Sequence, residues 1–243
     1  MKILITGASS GIGAELARQY ATKENSLILL ARREDKLKTL QNELASHATK
    51  IEIVVVDVTE FELLQSKIDA IGFIDMVILN AGISLGHSSD NTPFKDFKKL
   101  YDVNVLANHA ILEILLPKFE EQKSGKIVFI SSLASLFSMP SSQAYSSSKR
   151  ALNAYVEALQ YKYYKNTIKV INILPGFIKS ELTDKNNFHM PFLLSTENGV
   201  KRIKKAIDKN KKMYAFPLRF YLSIRLLNLL PNFLREKIVN SLN

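Results

Sequence analysis

The chain of 243 residues contains no cysteine. Disulfides, thiolate metal sites and cysteine nucleophiles are therefore excluded from its chemistry. Its histidines, His47, His87, His109 and His189, are scattered, and none stands at a metal-ligand spacing. No serine lies on a nucleophile turn with a matching histidine and acid, so a hydrolytic triad is not read. Long apolar runs are missing too: none approaches the roughly 20 residues that cross a bilayer. The start, Met1-Lys2-Ile3-Leu4, enters an apolar strand almost at once. No charged segment, long apolar stretch and small-residue cleavage site precede it, so no signal peptide is read and a cytoplasmic location is expected. Positive charge is in excess, at a formal net +10, but the basic residues are spread along the chain. No nucleic-acid-binding motif accompanies them, and they read as solvated helix faces, not as a nucleic-acid surface.

Short runs rich in branched apolar residues alternate with amphipathic stretches. The runs lie at 2–6, 27–31, 51–56, 76–79, 126–131, 168–174 and, more weakly, 212–216. Near-continuous hydrophobicity marks strands buried on both faces of a parallel sheet. The stretches between them predict helices near 11–23, 34–46, 60–70, 94–104, 105–122, 143–165 and 196–209. This alternation predicts an α/β fold of the doubly wound, Rossmann kind, with about seven parallel strands and a single domain over 1–243. Thr59 and Glu62 have capping-box spacing at the third helix, and Pro117 is expected to kink the helix over 105–122.

The first strand runs into Thr6-Gly7-Ala8-Ser9-Ser10-Gly11-Ile12-Gly13 and then a helical pattern. Glycines here let backbone approach a pyrophosphate, and the helix N-terminus offers unsatisfied N–H groups. The spacing is Gly-x3-Gly-x-Gly, so the dinucleotide reading leans on its context. The second strand ends in Ala31-Arg32-Arg33, about 20 positions after the glycines, where an NAD-type site places an acid on the ribose hydroxyls. That acid is absent. Arg32 and Arg33 suit a 2′-phosphate, which a carboxylate would repel, so NADP(H) is expected over NAD(H). Asp57-Val58 after the third strand can accept from an adenine amino group. Asn80-Ala81-Gly82 after the fourth allows close approach to a ribose.

Tyr145 and Lys149, four apart at the start of a predicted helix, share one face. A neighbouring ammonium favours phenolate and would make Tyr145 a usable acid or base near neutral pH. Ser132, ending the fifth strand, can bond a substrate oxygen. Asn104 can hold, through its amide, a water linked to Lys149, or simply cap a helix end.

Taken with Pro175-Gly176, these motifs stand in the order of the short-chain dehydrogenase/reductase family, which the chain resembles over 2–216. The resemblance implies Tyr145 as proton donor or acceptor, with Lys149 lowering its pKa and binding the nicotinamide ribose. It also implies Ser132 as substrate orienter, Asn104 as anchor of a relay water, and Ile178 contacting the carboxamide through its backbone. Ser180 stands where many relatives carry threonine. A homodimer through the helices near 105–122 and 146–165 is the implied assembly. The first of these carries apolar residues on most of its circumference, from Val105 to Phe119, and so is expected to be buried on two sides.

The chain lacks the glycine-rich final strand of many relatives. In its place 217–243 forms an apolar, basic tail, open to three readings: a pocket cover, a subunit contact or a membrane surface. Apolar residues between 133 and 143 and between 181 and 195, such as Phe137, Met139, Phe188 and Phe192, predict a hydrophobic pocket shaped also by 84–93, with a lid over 181–195. A small hydrophobic carbonyl or alcohol is the expected substrate. The competing readings are a non-catalytic NADP(H) sensor, which has no need of the four reactive residues, and a membrane-peripheral reductase of lipid-like carbonyls.

Overall fold

The computed structural model describes residues 1–86, 91–186 and 188–241. His87, the middle of 84–93, one position of 181–195 and the last two residues of the tail lie outside the described residues.

Seven parallel strands form one sheet in the order β3-β2-β1-β4-β5-β6-β7. They are β1 (Lys2–Thr6), β2 (Ser26–Ala31), β3 (Lys50–Val55), β4 (Met76–Leu79), β5 (Gly125–Ile130), β6 (Ile168–Pro175) and β7 (Met213–Phe216). β1, β2, β4 and β5 are buried almost throughout because helices cover both faces. One face packs α1 (Gly11–Tyr20), α2 (Glu34–Leu44) and α7 (Thr196–Asp208) around Ile5, Leu29, Ile173 and Ile203. The other packs α3 (Phe61–Ala70), α5 (Ala107–Gln122) and α6 (Gln143–Lys162) around Leu4, Val77, Phe129 and Val156.

Successive crossovers proceed outward from β1 to β3, then return to β4 on the other side of β1. The loops leaving β1 and β4 therefore diverge to opposite faces, opening a crevice at their carboxyl ends. Thr6 closes its floor: its Oγ1 accepts from the backbone N–H groups of Asn80 and Ala81, both at 3.0 Å.

Three local expectations change. Thr59 does not cap α3; its N–H and hydroxyl both bond Asp57 Oδ1, at 3.0 and 2.9 Å. The carboxylate two residues back outcompetes the helix terminus for that hydroxyl, and Glu60 occupies the cap position without a side-chain bond. The helices expected at 94–104 and 105–122 are continuous: α4 (Phe94–Tyr101) enters α5 through a π-type turn at Asp102–Leu106. Asn104 thus sits in the widened turn and does not cap a helix end. Pro117 lies inside α5. The apolar circumference of α5 is largely accounted for within the subunit, where Ile111, Leu112, Leu115 and Phe119 are buried and Ile114 and Leu116 half-buried.

The tail folds into α8 (Leu218–Leu229) and α9 (Asn232–Ser241). α8 packs on the sheet's carboxyl edge through Phe220, Tyr221 and Ile224, against Leu133, Leu174 and Phe137, whereas α9 has no buried residue. Among the described residues, no helix is long and apolar enough to cross a membrane.

Candidate active site

The crevice widens into a cleft of ≈ 870 Å³ that runs from the glycine turn to α8. Phe137, Met139 and Phe188 line it and Phe192 does not; of the dinucleotide and catalytic residues read from the sequence, all but Gly13 and Asn104 do. Those two act from behind its wall.

At one end the chain turns through Gly7 at φ +66° and Gly11 at φ +53°, left-handed values that L side chains resist. A Cβ on Gly13 would stand 2.3 Å from the Gly7 carbonyl oxygen. No side chain caps α1, so the N–H groups of its first turn face the cleft with the positive end of the helix dipole. The bend thereby presents backbone where a pyrophosphate would lie. Gly13→Ala is expected to cost about 1–3 kcal/mol through overpacking against backbone that cannot yield, read as a lowered melting temperature together with weakened dinucleotide binding.

Beyond the turn lies the charged rim. Arg33 donates to Ser9 Oγ, at 3.2 and 3.0 Å, and to Ser10 Oγ at 2.7 Å. Its other nitrogen meets the Glu181 carboxylate at 3.1 and 2.8 Å. Lys36 donates to the same carboxylate at 2.6 Å, and the Ser10 hydroxyl donates to it at 3.0 Å. These bonds, that of Lys36 foremost and then those of Arg33 and Ser10, hold Glu181 down at about 2. Arg32 faces Asp57 at 3.2 Å. Burial pushes the Asp57 carboxyl up, but the Thr59 and Arg32 hydrogen bonds outweigh it and leave it below its ordinary value. Both Asp57 oxygens have protein partners, Thr59 on one and Arg32 on the other. Neither Glu181 nor Lys36 was legible as part of this rim, because Glu181 meets the arginine from 148 positions away in sequence.

At the other end stand Ser132, Tyr145 and Lys149. Ser132 follows β5, and its Oγ accepts from Ala134 N–H at 3.1 Å, fixing the hydroxyl at the strand's end. Tyr145, on the first turns of α6, hydrogen-bonds Ser132. Lys149 lies one turn further, buried, its Nζ 5.9 Å from the Tyr145 ring centre and donating to the Ile130 carbonyl at 3.1 Å. Burial lowers the Lys149 ammonium to about 8. Burial also raises the Tyr145 phenol, and the Ser132 bond only partly offsets that. The phenol thus stands above its ordinary value, and not below it as the pairing with Lys149 led one to expect: desolvation of the ring leads, and Lys149 is not among the groups that shift it.

Asn104 is buried and held by four hydrogen bonds. Its Nδ2 donates to Ile83 O and Ser148 Oγ, at 3.1 and 3.0 Å, and its Oδ1 accepts from Ile83 N–H at 2.9 Å. Its backbone carbonyl accepts from Asn108 at 2.8 Å. The amide thus ties the loop after β4 to α6. Gly82 lies beside it, where a Cβ would come 3.3 Å from Asn104 Oδ1 and 3.5 Å from Lys149 Nζ.

Past Pro175-Gly176, the Ile178 carbonyl accepts from the Thr183 hydroxyl at 3.0 Å, and Ser180 N–H donates to the same hydroxyl at 2.8 Å. Thr183 is a structural residue the sequence reading missed; the Ser180-x-x-Thr183 spacing was its only signal. The cleft's far wall is apolar: Phe137, Met139, Phe177, Phe188, Phe220 and Ile224. Phe177 stacks on Phe220 at 5.9 Å.

A glycine bend against an uncapped helix, a strand-end hydroxyl, and a tyrosine–lysine pair on one helix face together fit a nicotinamide dinucleotide beside a reactive phenol. Known proteins agree. A family model for short chain dehydrogenase matches residues 1–190. An uncharacterized oxidoreductase of Myxococcus xanthus (strain DK1622) is 34% identical over 233 residues, covering 94% of this chain and 92% of its own length. The short-chain dehydrogenase from Sphingobium yanoikuyae in complex with NADPH superposes with a TM-score of 0.83 at 23% identity, over 89% of this chain and 88% of that one. A short chain dehydrogenase/reductase from Burkholderia phymatum in complex with NAD gives 0.84 at 22%, over 93% and 92%. These last two likenesses concern the fold.

The chain belongs to the short-chain dehydrogenase/reductase family. It is an oxidoreductase that acts on CH–OH or carbonyl groups with a nicotinamide dinucleotide.

Proposed function

We propose that this enzyme reduces a hydrophobic carbonyl at the expense of NADPH, with Tyr145 as general acid, and runs the reverse alcohol oxidation with Tyr145 as base. The observation that carries the reading is the single cleft joining the Arg33 rim, the Tyr145 phenol and an aromatic wall. The bound nicotinamide supplies or takes the hydride. Tyr145 supplies the proton to the carbonyl oxygen, and its raised pKa keeps the phenol protonated for that task at neutral pH. Ser132 donates a hydrogen bond to the same oxygen and stabilises charge that develops there. The Lys149 ammonium compensates the phenolate left behind and, through Ile130, stays aimed at the cleft. Asn104 acts as a positioning residue by fixing α6 to the β4 loop. Segment 181–195 serves as the lid, and the working assembly is a homodimer through α5 and α6.

The preference for NADPH is supported by Arg33, whose fork lies at the rim of the cleft with Lys36 beside it. A 2′-phosphate arriving there competes with the Glu181 carboxylate for both cations. Arg33→Ala is expected to weaken NADPH binding about 10- to 100-fold, the worth of a charge-assisted bond, and to leave NADH binding nearly unchanged. Glu181→Gln is expected to tighten NADPH binding, because a repelling carboxylate leaves the rim. Titration of both cofactors by nicotinamide fluorescence checks the pair.

The deciding assay follows NADPH and NADH consumption across aldehydes, ketones, 3-oxoacyl thioesters and quinones, with Tyr145→Phe as control. Turnover with NADPH that the variant loses establishes the reductase. Tight NADPH binding without turnover across the panel favours a non-catalytic sensor, and faster turnover with NADH overturns the role given to Arg33.

A further inference from the structure

α8 is apolar on two opposite faces. Phe220, Ile224 and Leu227, spaced four and three apart, look inward and line the cleft. At roughly 100° per residue, Leu218, Leu222, Leu226 and Leu229 fall together on the opposite side. There they are 63%, 48%, 65% and 78% exposed. Arg219 and Arg225 flank this leucine row, one on each side, and both are exposed. α9 extends the surface with exposed Phe233, Leu234 and Ile238. On the lid, Phe192 and Leu193 are also exposed, and the Phe192 ring packs 6.1 Å from Phe220. Solvated helices do not ordinarily present four leucines in one row, and a contiguous exposed apolar patch of this kind marks a contact surface.

From this arrangement we infer that the outer face of α8, with α9 and the lid tip, docks on an anionic lipid surface, so that the cleft opens toward the bilayer. The charge pattern selects this occupant. Between 217 and 241 the basic residues are Arg219, Arg225, Arg235 and Lys237, against Glu236 alone. Arginines bordering an apolar row can lay their stems along acyl chains while the guanidinium groups meet lipid phosphates. A second copy of the chain is the poorer occupant, since α8 carries no acidic residue to receive those arginines. The inner and outer faces belong to one helix, so docking places Phe220 and Ile224 within a helix diameter of the lipid. A substrate dissolved in the bilayer then reaches the aromatic wall along the lid without crossing water. The inference does not depend on which cofactor or carbonyl the cleft takes.

Flotation of the full chain tests it, using vesicles of phosphatidylcholine alone and vesicles containing phosphatidylglycerol. The chain is expected to float with the anionic vesicles and poorly with the neutral ones. Leu222→Gln combined with Leu226→Gln should weaken binding at least about tenfold, because two leucine side chains no longer leave water. These positions are exposed and outside the cleft, so turnover of a water-soluble carbonyl serves as the check that the variant is folded. Arg219→Gln with Arg225→Gln should abolish the preference for anionic vesicles. Failure of the full chain to float overturns the inference, as does flotation indifferent to the leucine changes. It is equally overturned if the leucine variant instead converts a dimer to a monomer in light scattering, which would assign the row to a second copy.

Discussion

With Tyr145 replaced by phenylalanine, carbonyl reduction is expected to fall by about 10²–10⁴-fold, the range supplied by a positioned general acid. Only the phenolic oxygen is removed. The ring stays between Ser132 and Lys149, and the glycine turn and Arg33 rim stand at the far end of the cleft, so cofactor binding should hold within about twofold, a shift well under 1 kcal/mol. The loss should therefore appear in kcat, with the substrate KM little changed, as expected when an interaction made in the transition state is lost. Steady-state kinetics beside a nicotinamide fluorescence titration separate the two quantities. A variant that keeps wild-type turnover would remove Tyr145 from the chemistry. One that loses cofactor binding as well would assign it to the architecture of the cleft.

Lys149→Met is expected to inactivate the enzyme and stabilise it. The ammonium is buried and its pKa is lowered from 10.5 to about 8, so at neutral pH the folded protein carries a charge that burial disfavours. At 1.36 kcal/mol per pKa unit, the cost is about 3 kcal/mol. The sign follows from proton binding: between about 8 and 10.5 the unfolded chain holds the proton more firmly than the folded one. The penalty is thus fully present below about pH 8 and is relieved as pH rises toward 10.5. Methionine fills a similar volume without the charge, at the cost of leaving the Ile130 carbonyl without its donor, worth about 1–3 kcal/mol. A net gain of up to about 2 kcal/mol at neutral pH is the expected balance, read as a raised melting temperature that shrinks as the buffer is made alkaline. Turnover should drop at least about 10²-fold, since nothing then compensates the phenolate. In the unaltered enzyme the same titration predicts that reduction declines as pH rises through about 8. A pH–rate profile flat across that window would contradict this role.

Much of the fold was legible because its signals are local. A strand buried on both faces must be apolar at nearly every position, and each helix between strands must carry one apolar face; β1, β4 and β5 and helices α1, α2 and α7 follow that rule almost residue for residue. Helix termini were less legible. Thr59 and Glu62 have the right spacing for a capping box, yet Asp57 captures the Thr59 hydroxyl. The continuity of α4 and α5 through a π-type turn leaves no local mark either, since Asn104 looks like a helix end until its amide is seen to bond Ile83 and Ser148.

For the site, residue types and spacings alone marked the groups that meet in the cleft: a glycine bend before a helix, a phenol and an amine one turn apart, a hydroxyl ending a strand, and arginines where an acid would otherwise stand. Tertiary structure decided the charge states and partners of those groups. The phenol is raised instead of lowered because its surroundings exclude water, a property of packing that no spacing encodes. Arg33 meets a carboxylate from 148 positions away because the lid segment folds back over the glycine turn. The tail gave the clearest division. Its leucines and arginines announced an apolar, basic helix, but only its seat on the carboxyl edge of the sheet assigned Phe220, Ile224 and Leu227 to the cleft and the leucine row to the outside. Periodicity fixes which residues share a helix face; which face is turned inward is set by what that helix packs against.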